Sequence, residues 1–599
     1  MEKSKEFIDK IEQLKIEKTK LKQNYNMMSL MRFCVFIAAV SFTYFLVKTP
    51  SIFILLGAVL SYVLFVYILK IHGNISENLL IINSLIDVNE KYLKRIDGTW
   101  TSFDDCGEEF KEEGYPYLSD LDIFGKKSLF QLINTTKTFL GRKKLVKALK
   151  NPEKDVKKIK LRQKAVNELK EKFDFCQRIE AHGGEDNLKS SPEELFSDLK
   201  DTRRLFKNLW FQNFIRVLPV ISIVVSIVII YMRMRNYYWV IGALFVLHMF
   251  INVIGYLKIA PVLSRVYKIR NDLKSYFRIL DDIEKEEFKS DYLTNLKASL
   301  YFDNKPAYKI FKSLTSITEK LEFKNNIFGY IIFGIIMLWD YQCIYEFQSW
   351  KEKYGLEALK WIDIIGEIES LSSLAVIAQL NNHMVFPEIA GEGLVFDGKE
   401  VGHPLIAEDK RVNNDVDMTD KIFIITGANM AGKTTFLRTV GINLVLAYAG
   451  APVCASSLKC SVVDIYTSMR ITDDLNNGMS TFYVELMRIK KMIENVKKKA
   501  PMLFLIDEIF HGTNANDRIA GAKKVLQILN EPWIFGLIST HDFELCELED
   551  DKKSRIVNYH FSETYLENKI LFDYKIKTGP SDTTNAKYLM KMIGIDVAK

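Results

Sequence analysis

Uncharged apolar runs alternate along the chain with charge-laced helical stretches, and then with short β-branched strands. Phe33 to Val47 is uncharged and almost wholly apolar, and after Lys48-Thr49-Pro50 a second run, Ser51 to Leu69, continues for nineteen residues without a charge. A second pair follows at Val217 to Met232 and Tyr237 to Tyr256, separated by the polar bend Arg233-Met234-Arg235-Asn236. A bilayer core takes about 20 residues per helix. The second and fourth runs reach that length alone; the first and third reach it with flanks in which Arg32 and Arg216 snorkel. The turns between paired runs allow only tight antiparallel returns, so the pattern predicts two transmembrane helical hairpins. Buried core helices are the alternative and would explain a single run of this kind; four runs in paired arrangement favour spans over it. Ile327 to Trp339, thirteen residues with Gly329 and Gly334, is too short for a span and is expected in a soluble core or on a membrane surface.

Between and after the hairpins the chain reads as helical, with apolar positions at helical spacing in Ser128–Ile133 and at Leu145 and Leu149, and a charge-laced stretch from Ile159 to Phe175. Near Val385-Phe386-Pro387 the character changes to short apolar strands alternating with helices, the pattern of a parallel α/β sheet covered on both faces. The expected division is a basic N-terminal helix (1–32), hairpin 1 (33–70), a linker (71–116), a helical core (117–212), hairpin 2 (213–256), a second helical part (257–390) and an α/β domain (391–599). Phe7, Ile11, Leu14 and Leu21 give the first segment one apolar face, over too few heptads to specify a coiled coil.

Composition adds direction. Eight cations before residue 33 (Lys3, Lys5, Lys10, Lys15, Lys18, Lys20, Lys22 and Arg32) face five acids, which places the N-terminus in the cytoplasm. An even number of spans returns the rest of the chain there, while Arg233 and Arg235 run against this scheme. The seven cysteines are scattered, odd in number and without a C-x-x-C, which argues against a disulfide scaffold and a zinc module and fits a reducing cytosol. The net charge of +7 over 599 residues is compatible with a polyanionic or membrane-surface partner without selecting one.

The candidate chemistry lies in the last third. Lys421–Thr426 reads as a buried strand, followed at once by Gly427-Ala428-Asn429-Met430-Ala431-Gly432-Lys433-Thr434-Thr435 and a helical run. In this strand, G-x-x-x-x-G-K-T, helix order the glycines let backbone N–H groups wrap phosphates at a helix N-terminus. Lys433 would neutralise the β- and γ-phosphates of ATP, and the Thr434 hydroxyl would ligate Mg²⁺. A second strand, Met502–Ile506, ends in Asp507-Glu508: Asp507 would hold the metal and Glu508 would orient and deprotonate the attacking water. A third, Trp533–Ile538, runs into Ser539-Thr540-His541, where His541 can contact the γ-phosphate. Gly478-Met479-Ser480-Thr481 precedes an amphipathic helix and is either a plain N-cap or an anion site. Gly512–Asp517 is a turn or a subunit contact.

Several of these segments together resemble the MutS family. TGANMAGKTTFLRT (Thr426–Thr439) is similar to the nucleotide loop of MutS-type ATPases, with its Asn-Met. RITDDLNNGMSTFYVEL (Arg470–Leu486), LFLIDEIFHGTNANDR (Leu503–Arg518) and STHDFEL (Ser539–Leu545) follow in the family's order. Gly402-His403-Pro404-Leu405 and Val412–Asp415 resemble the entry into its ATPase domain, and Leu121–Leu149 with Ile159–Leu169 its helical core. The resemblance implies an α/β P-loop (ABC-class) ATPase domain C-terminal to an all-α core or lever domain. It also implies ATP and Mg²⁺ as cofactors, a homodimer whose two composite sites receive Ser480 and Thr481 in trans, and DNA as a partner. Departures are expected too: a mismatch-reading domain, a connector domain and a helix-turn-helix tail are not recognised, and the second hairpin falls roughly where the family places its DNA clamp.

Two functions follow. One is a membrane-anchored MutS-like ATPase that binds DNA in the manner of mismatch repair or DNA-structure sensing. The other is a membrane signalling or assembly protein driven by the same nucleotide switch without nucleic acid. Salt dependence of DNA binding separates them. A transporter fits poorly, because the hairpins flank helical segments instead of forming one bundle.

Overall fold

Apolar runs without a helix breaker, continued by amphipathic flanks, make the first two helices long. In the computed structural model, which describes residues 2–581 except 50, 113, 152, 184–208, 323–333, 382, 392, 471–480, 511–513, 552–553 and 567–568, they are α1 (Glu2–Lys48) and α2 (Ile52–Ile96), packed antiparallel. The polar ends beyond the uncharged runs form a stalk. Phe7 of α1 stacks on Tyr92 of α2, and both rings meet Phe173 edge-on at 5.4 and 5.1 Å. Lys10 donates to Asp174 (2.5 Å) and Gln177 (2.6 Å), so the stalk is fastened to the helical region.

That region contains α3 (Phe139–Lys150), α4 (Val156–Glu171) and α5 (Phe173–His182), then α6 (Leu209–Tyr231) and α7 (Tyr238–Lys268), then α8 (Arg270–Lys285), α9 (Ala307–Glu322) and the 42-residue α10 (Trp339–Leu380). α3 and α10 approach closely because Gly141 and Gly366 face each other: a Cβ on Gly141 would lie 2.2 Å from a Glu369 oxygen. α1, α2, α6 and α7 are each long and apolar enough to cross a membrane. Their apolar side chains are widely exposed, Phe53 at 80% and Trp239 at 69% among them, far beyond the scattered apolar surface of a soluble monomer.

The run expected in a soluble core or on a membrane surface is described only from residue 334. There it packs against α7: His248 Nδ1 lies 3.3 Å from the Ile335 carbonyl, and Asn252 Nδ2 donates to the same carbonyl (3.4 Å). His248 also meets Ser222 of α6 at 3.0 Å, which satisfies the buried imidazole.

The C-terminal part is a six-stranded sheet flanked by helices. Its strands are β1 (Ile422–Thr426), β2 (Asp464–Ser468), β3 (Met502–Asp507), β4 (Ile534–Ser539), β5 (Ile556–Leu566) and β6 (Lys569–Thr578), in the order β2-β3-β4-β1-β5-β6. All are parallel except β6, which returns antiparallel to β5. β1 and β4 are buried throughout, as expected for parallel strands covered on both faces. The flanking helices are α11 (Lys433–Ala449), α12 (Thr481–Lys497) and α13 (Ala515–Leu529). A four-stranded sheet leads into this domain, with Phe396–Val401 between Ser457–Ser461 and Asn414–Asp417. The observed architecture is thus an all-helical N-terminal region with four long apolar helices, and a C-terminal α/β domain.

Candidate functional site

β1, β3 and β4 are adjacent and parallel, so the segments leaving their C-terminal ends share one edge of the sheet, where α/β folds bind ligands. The loop after β1 turns through left-handed backbone at Gly427 (φ 138°), Met430 (φ 69°) and Gly432 (φ 105°) before α11 begins at Lys433. Gly427 is required twice: its φ suits only glycine, and a Cβ there would lie 2.6 Å from the Phe561 carbonyl on β5. The result is a concave loop at the N-terminus of a 17-residue helix, where free N–H groups and the helix dipole favour an anion.

Lys433 is buried and its Nζ donates to the carbonyls of Gly427 (2.7 Å) and Ala428 (3.1 Å). Burial pushes its ammonium below the usual lysine value, and Glu508, Asp507 and Glu563 pull the other way. The Thr434 hydroxyl donates to Asp507 Oδ2 (2.6 Å), while the Ser539 hydroxyl donates to the other Asp507 oxygen. A hydroxyl and a carboxylate side by side are the hard oxygen donors that Mg²⁺ takes, usually with water and phosphate oxygens, so the set suits that ion.

Glu508 follows with φ 53°, and Phe510 with φ 63°. Two non-glycine residues in left-handed backbone, one closing the acidic pair and one two residues beyond it, mark a held, strained turn. The Glu508 N–H donates to the Ser539 carbonyl (3.1 Å), and the Phe510 N–H to Glu485 of α12 (2.5 Å). His541 Nε2 lies 3.1 Å from Glu508 Oε1 and 2.8 Å from Asn429 Oδ1. The Lys433 ammonium lies 3.3 Å from the same nitrogen. His541 therefore bridges the loop after β1 and the turn after β3. Arg518 of α13 pairs with Asp542 through Nε and Nη2 (2.8 and 2.7 Å), which fixes the residue beside His541.

A cavity of about 440 Å³ opens beside the loop, lined among others by His403, Asn414, Lys433, Thr434, Glu508 and Tyr574. Its size and mixed lining suit a nucleotide-sized ligand. Burial, with Arg438 next, pushes the His403 imidazole down to about 4, so it is neutral near pH 7. Ala428, Asn429, Met430, Gly432 and Thr435 also line this cavity; Gly427 and Ala431 complete the loop behind them. Thr481, the first residue of α12, is not among the lining residues, and Ser480 lies outside the described residues. Sequence reasoning missed Ser539 as the second partner of Asp507, and Glu485 and Tyr574, because each reaches the site from a distant segment without a local motif.

The family model for MutS domain III matches residues 118–375 and that for MutS domain V matches 423–598. Among relatives, the chain is 32% identical over 242 residues to the DNA mismatch repair protein MutS of Methanococcoides burtonii, covering 39% of this chain and 27% of that one. It is 32% identical over 268 residues to the same-named protein of Listeria innocua (43% and 30%) and 35% identical over 242 residues to that of Aquifex pyrophilus (39% and 27%). The chain thus spans less than a third of the length of these curated relatives. Two domain matches in family order, over the helical region and over the sheet that carries the loop, establish that the chain belongs to the MutS family.

Proposed function

We propose that this chain is a membrane-anchored MutS-like ATPase that works as a homodimer and couples ATP hydrolysis to movement of its helical region on DNA. The observation that carries the reading is the convergence of the glycine loop, Asp507, Glu508 and His541 on one sheet edge beside a nucleotide-sized cavity. In this reading the N–H groups of residues 427–435 cradle the phosphates of ATP, and Lys433 neutralises their charge. Thr434 and Asp507 hold Mg²⁺, which when bound neutralises charge on the phosphate oxygens. Glu508 orients the attacking water and takes its proton; His541 holds Glu508 in place through Nε2 and faces the γ-phosphate. Ser480 and Thr481 complete the partner's site, which makes activity dimer-dependent.

The four apolar helices support a multi-pass anchor with both termini and the ATPase domain cytoplasmic, and only the turns near Thr49 and Asn236 outside. DNA enters from the names of the relatives. The second reading, a membrane signalling or assembly protein without nucleic acid, is favoured by one observation: α6 and α7 fall inside the stretch matched by MutS domain III.

Nucleotide binding and turnover by the detergent-solubilised full-length chain test the ATPase. Glu508→Gln should bind ATP but lose about 100-fold or more in turnover, the usual worth of a general base. Lys433→Ala should lose binding. Unchanged turnover in both would remove these residues from their roles, and full activity of a strict monomer would remove Ser480 and Thr481.

A further inference from the structure

Where α1 passes from its stalk into the uncharged run, its charge becomes one-sided. From Lys18 to Lys48 the helix carries no acidic residue, and Lys18, Lys20, Lys22 and Arg32 fall within about 21 Å of helix axis. The nearest acid on the neighbouring stretch of α2, Glu77, is already held by Lys274 (3.0 Å) and Arg278 (2.7 Å). Arg32 itself has no carboxylate partner among the described residues.

A groove of about 530 Å³ lies at this level between α1 and α2, and its lining is graded along the helix axis. Asn26, Ser29 and Arg32, with Leu30 between them, form a mostly polar rim; Phe33 and Phe36, with Phe65 from α2, form the apolar walls below. Asn26 to Arg32 covers about 9 Å of axis. The interfacial layer outside the hydrocarbon is about 5–8 Å thick on each side. The rim therefore matches the depth of lipid head groups, and the phenylalanines begin where acyl chains begin.

We propose that this groove binds an anionic phospholipid of the leaflet facing the stalk, with its phosphate on Arg32, Asn26 and Ser29 and its chains against Phe33, Phe36 and Phe65. The inference rests on the membrane-spanning reading of α1 and α2. A guanidinium flanked by an amide and a hydroxyl suits a phosphate, which Arg grips through two parallel N–H bonds. The apolar walls require that the phosphate bear a long hydrocarbon tail. A zwitterionic head group would bring its own ammonium beside the Arg32 guanidinium, which favours a head group of net negative charge.

The test is lipid retention by the full-length protein. The chain is reconstituted in nanodiscs of phosphatidylcholine with a minor share of phosphatidylglycerol, re-extracted in mild detergent, and its co-purifying lipids are quantified by mass spectrometry. Wild type should retain phosphatidylglycerol enriched about fivefold over the bulk ratio, the worth of one cation at an anionic surface. Arg32→Gln should bring the ratio to that of the bulk, while Arg32→Lys keeps most of the enrichment. A bulk ratio in wild type, or full enrichment in Arg32→Gln, overturns the site while leaving the anchor intact. Displacement of the retained lipid by soluble glycerol 1-phosphate overturns it in favour of a free phosphate anion. Failure of the chain to enter nanodiscs at all would overturn the membrane reading, and the site with it.

Discussion

Glu369, in the middle of α10, uses both carboxylate oxygens inside the helical region. Oε1 accepts from the N–H groups of Lys137 (3.0 Å) and Thr138 (3.2 Å), and Oε2 meets the Thr138 hydroxyl that caps α3. Complete burial pushes its carboxyl from 4.5 up to about 7, against the pull of those hydrogen bonds. An acid whose folded-state value is raised binds its proton more tightly in the native state than in the unfolded chain. The associated stability is fully present below about pH 4.5 and is lost as pH rises through about 7. Glu369→Gln removes the titration but keeps an oxygen acceptor. Relative to wild type it should gain stability between pH 5 and pH 8, by up to about 3 kcal/mol for a shift of this size. Thermal unfolding at both pH values checks this; a mutant-to-wild-type difference that does not change with pH would show that Glu369 does not titrate there. Lys433 differs in kind, since its depressed value comes with three opposing carboxylates at the nucleotide edge and reports a site prepared for negative charge.

Between elements, one link from the sheet to the helical region is a two-residue corner. Asp120, fully buried at the end of the short helix Pro116–Asp120, accepts from the Thr467 hydroxyl (2.7 Å), the N–H groups of Met469 and Arg470 (both 3.2 Å), and Arg488 (3.0 Å). Asp122, in left-handed backbone, holds Arg438 (3.3 Å) and Arg470. Arg438 is on α11, five residues after Lys433, and Arg488 is on α12, seven after Thr481. Both helices that begin at the candidate nucleotide contacts are thus tied to the same corner. Asp120→Ala leaves Arg488 without its buried partner and should cost about 3–5 kcal/mol, the usual effect of breaking such a pair. A lowered thermal midpoint of the solubilised protein, with ATP turnover falling more than ATP binding, is the expected result; an unchanged midpoint would mean the pair is solvated in solution. None of this was legible in the sequence, because Asp120 and Thr467 are 347 positions apart and neither sits in a motif. The loop was legible because its glycines, Lys433 and Thr434 are contiguous and set between a buried strand and a helix. The apolar runs were legible because a long uncharged helix needs no long-range partner to declare itself. The antiparallel stalk was not: Phe7, Tyr92 and Phe173 come from three segments, and each alone looks like an ordinary apolar position.

For the whole molecule, the proposed topology rests on four helices long and apolar enough to span a membrane and on the cations of the stalk side. Single cysteines at the turns near Thr49 and Asn236 should be labelled from outside intact cells, and one at residue 300 should not; outside labelling at residue 300 would sink the proposed topology. That topology constrains how DNA could be held. The family match to MutS domain III spans 118–375, and α6 and α7 lie within it, so the helical arms of a dimer would end in the bilayer and could not close around a duplex from that side. Ahead of residue 118 stand the α1–α2 hairpin and a short connecting stretch. DNA, if bound, would then lie along the arms between membrane and sheet domain, gripped at its phosphates by Lys and Arg, contacts that position a duplex without reading its bases. Six or more such contacts would make affinity fall by about 10³-fold or more between 50 and 200 mM salt. Matched and mismatched duplexes should compete almost equally, since recognising a mismatch requires a side chain that unstacks and kinks the step. A large preference for the mismatched duplex would overturn this placement of the DNA. Absence of binding to any duplex at low salt would instead favour the membrane signalling reading, in which the corner at Asp120 and Asp122 carries the nucleotide state from the sheet to the hairpins.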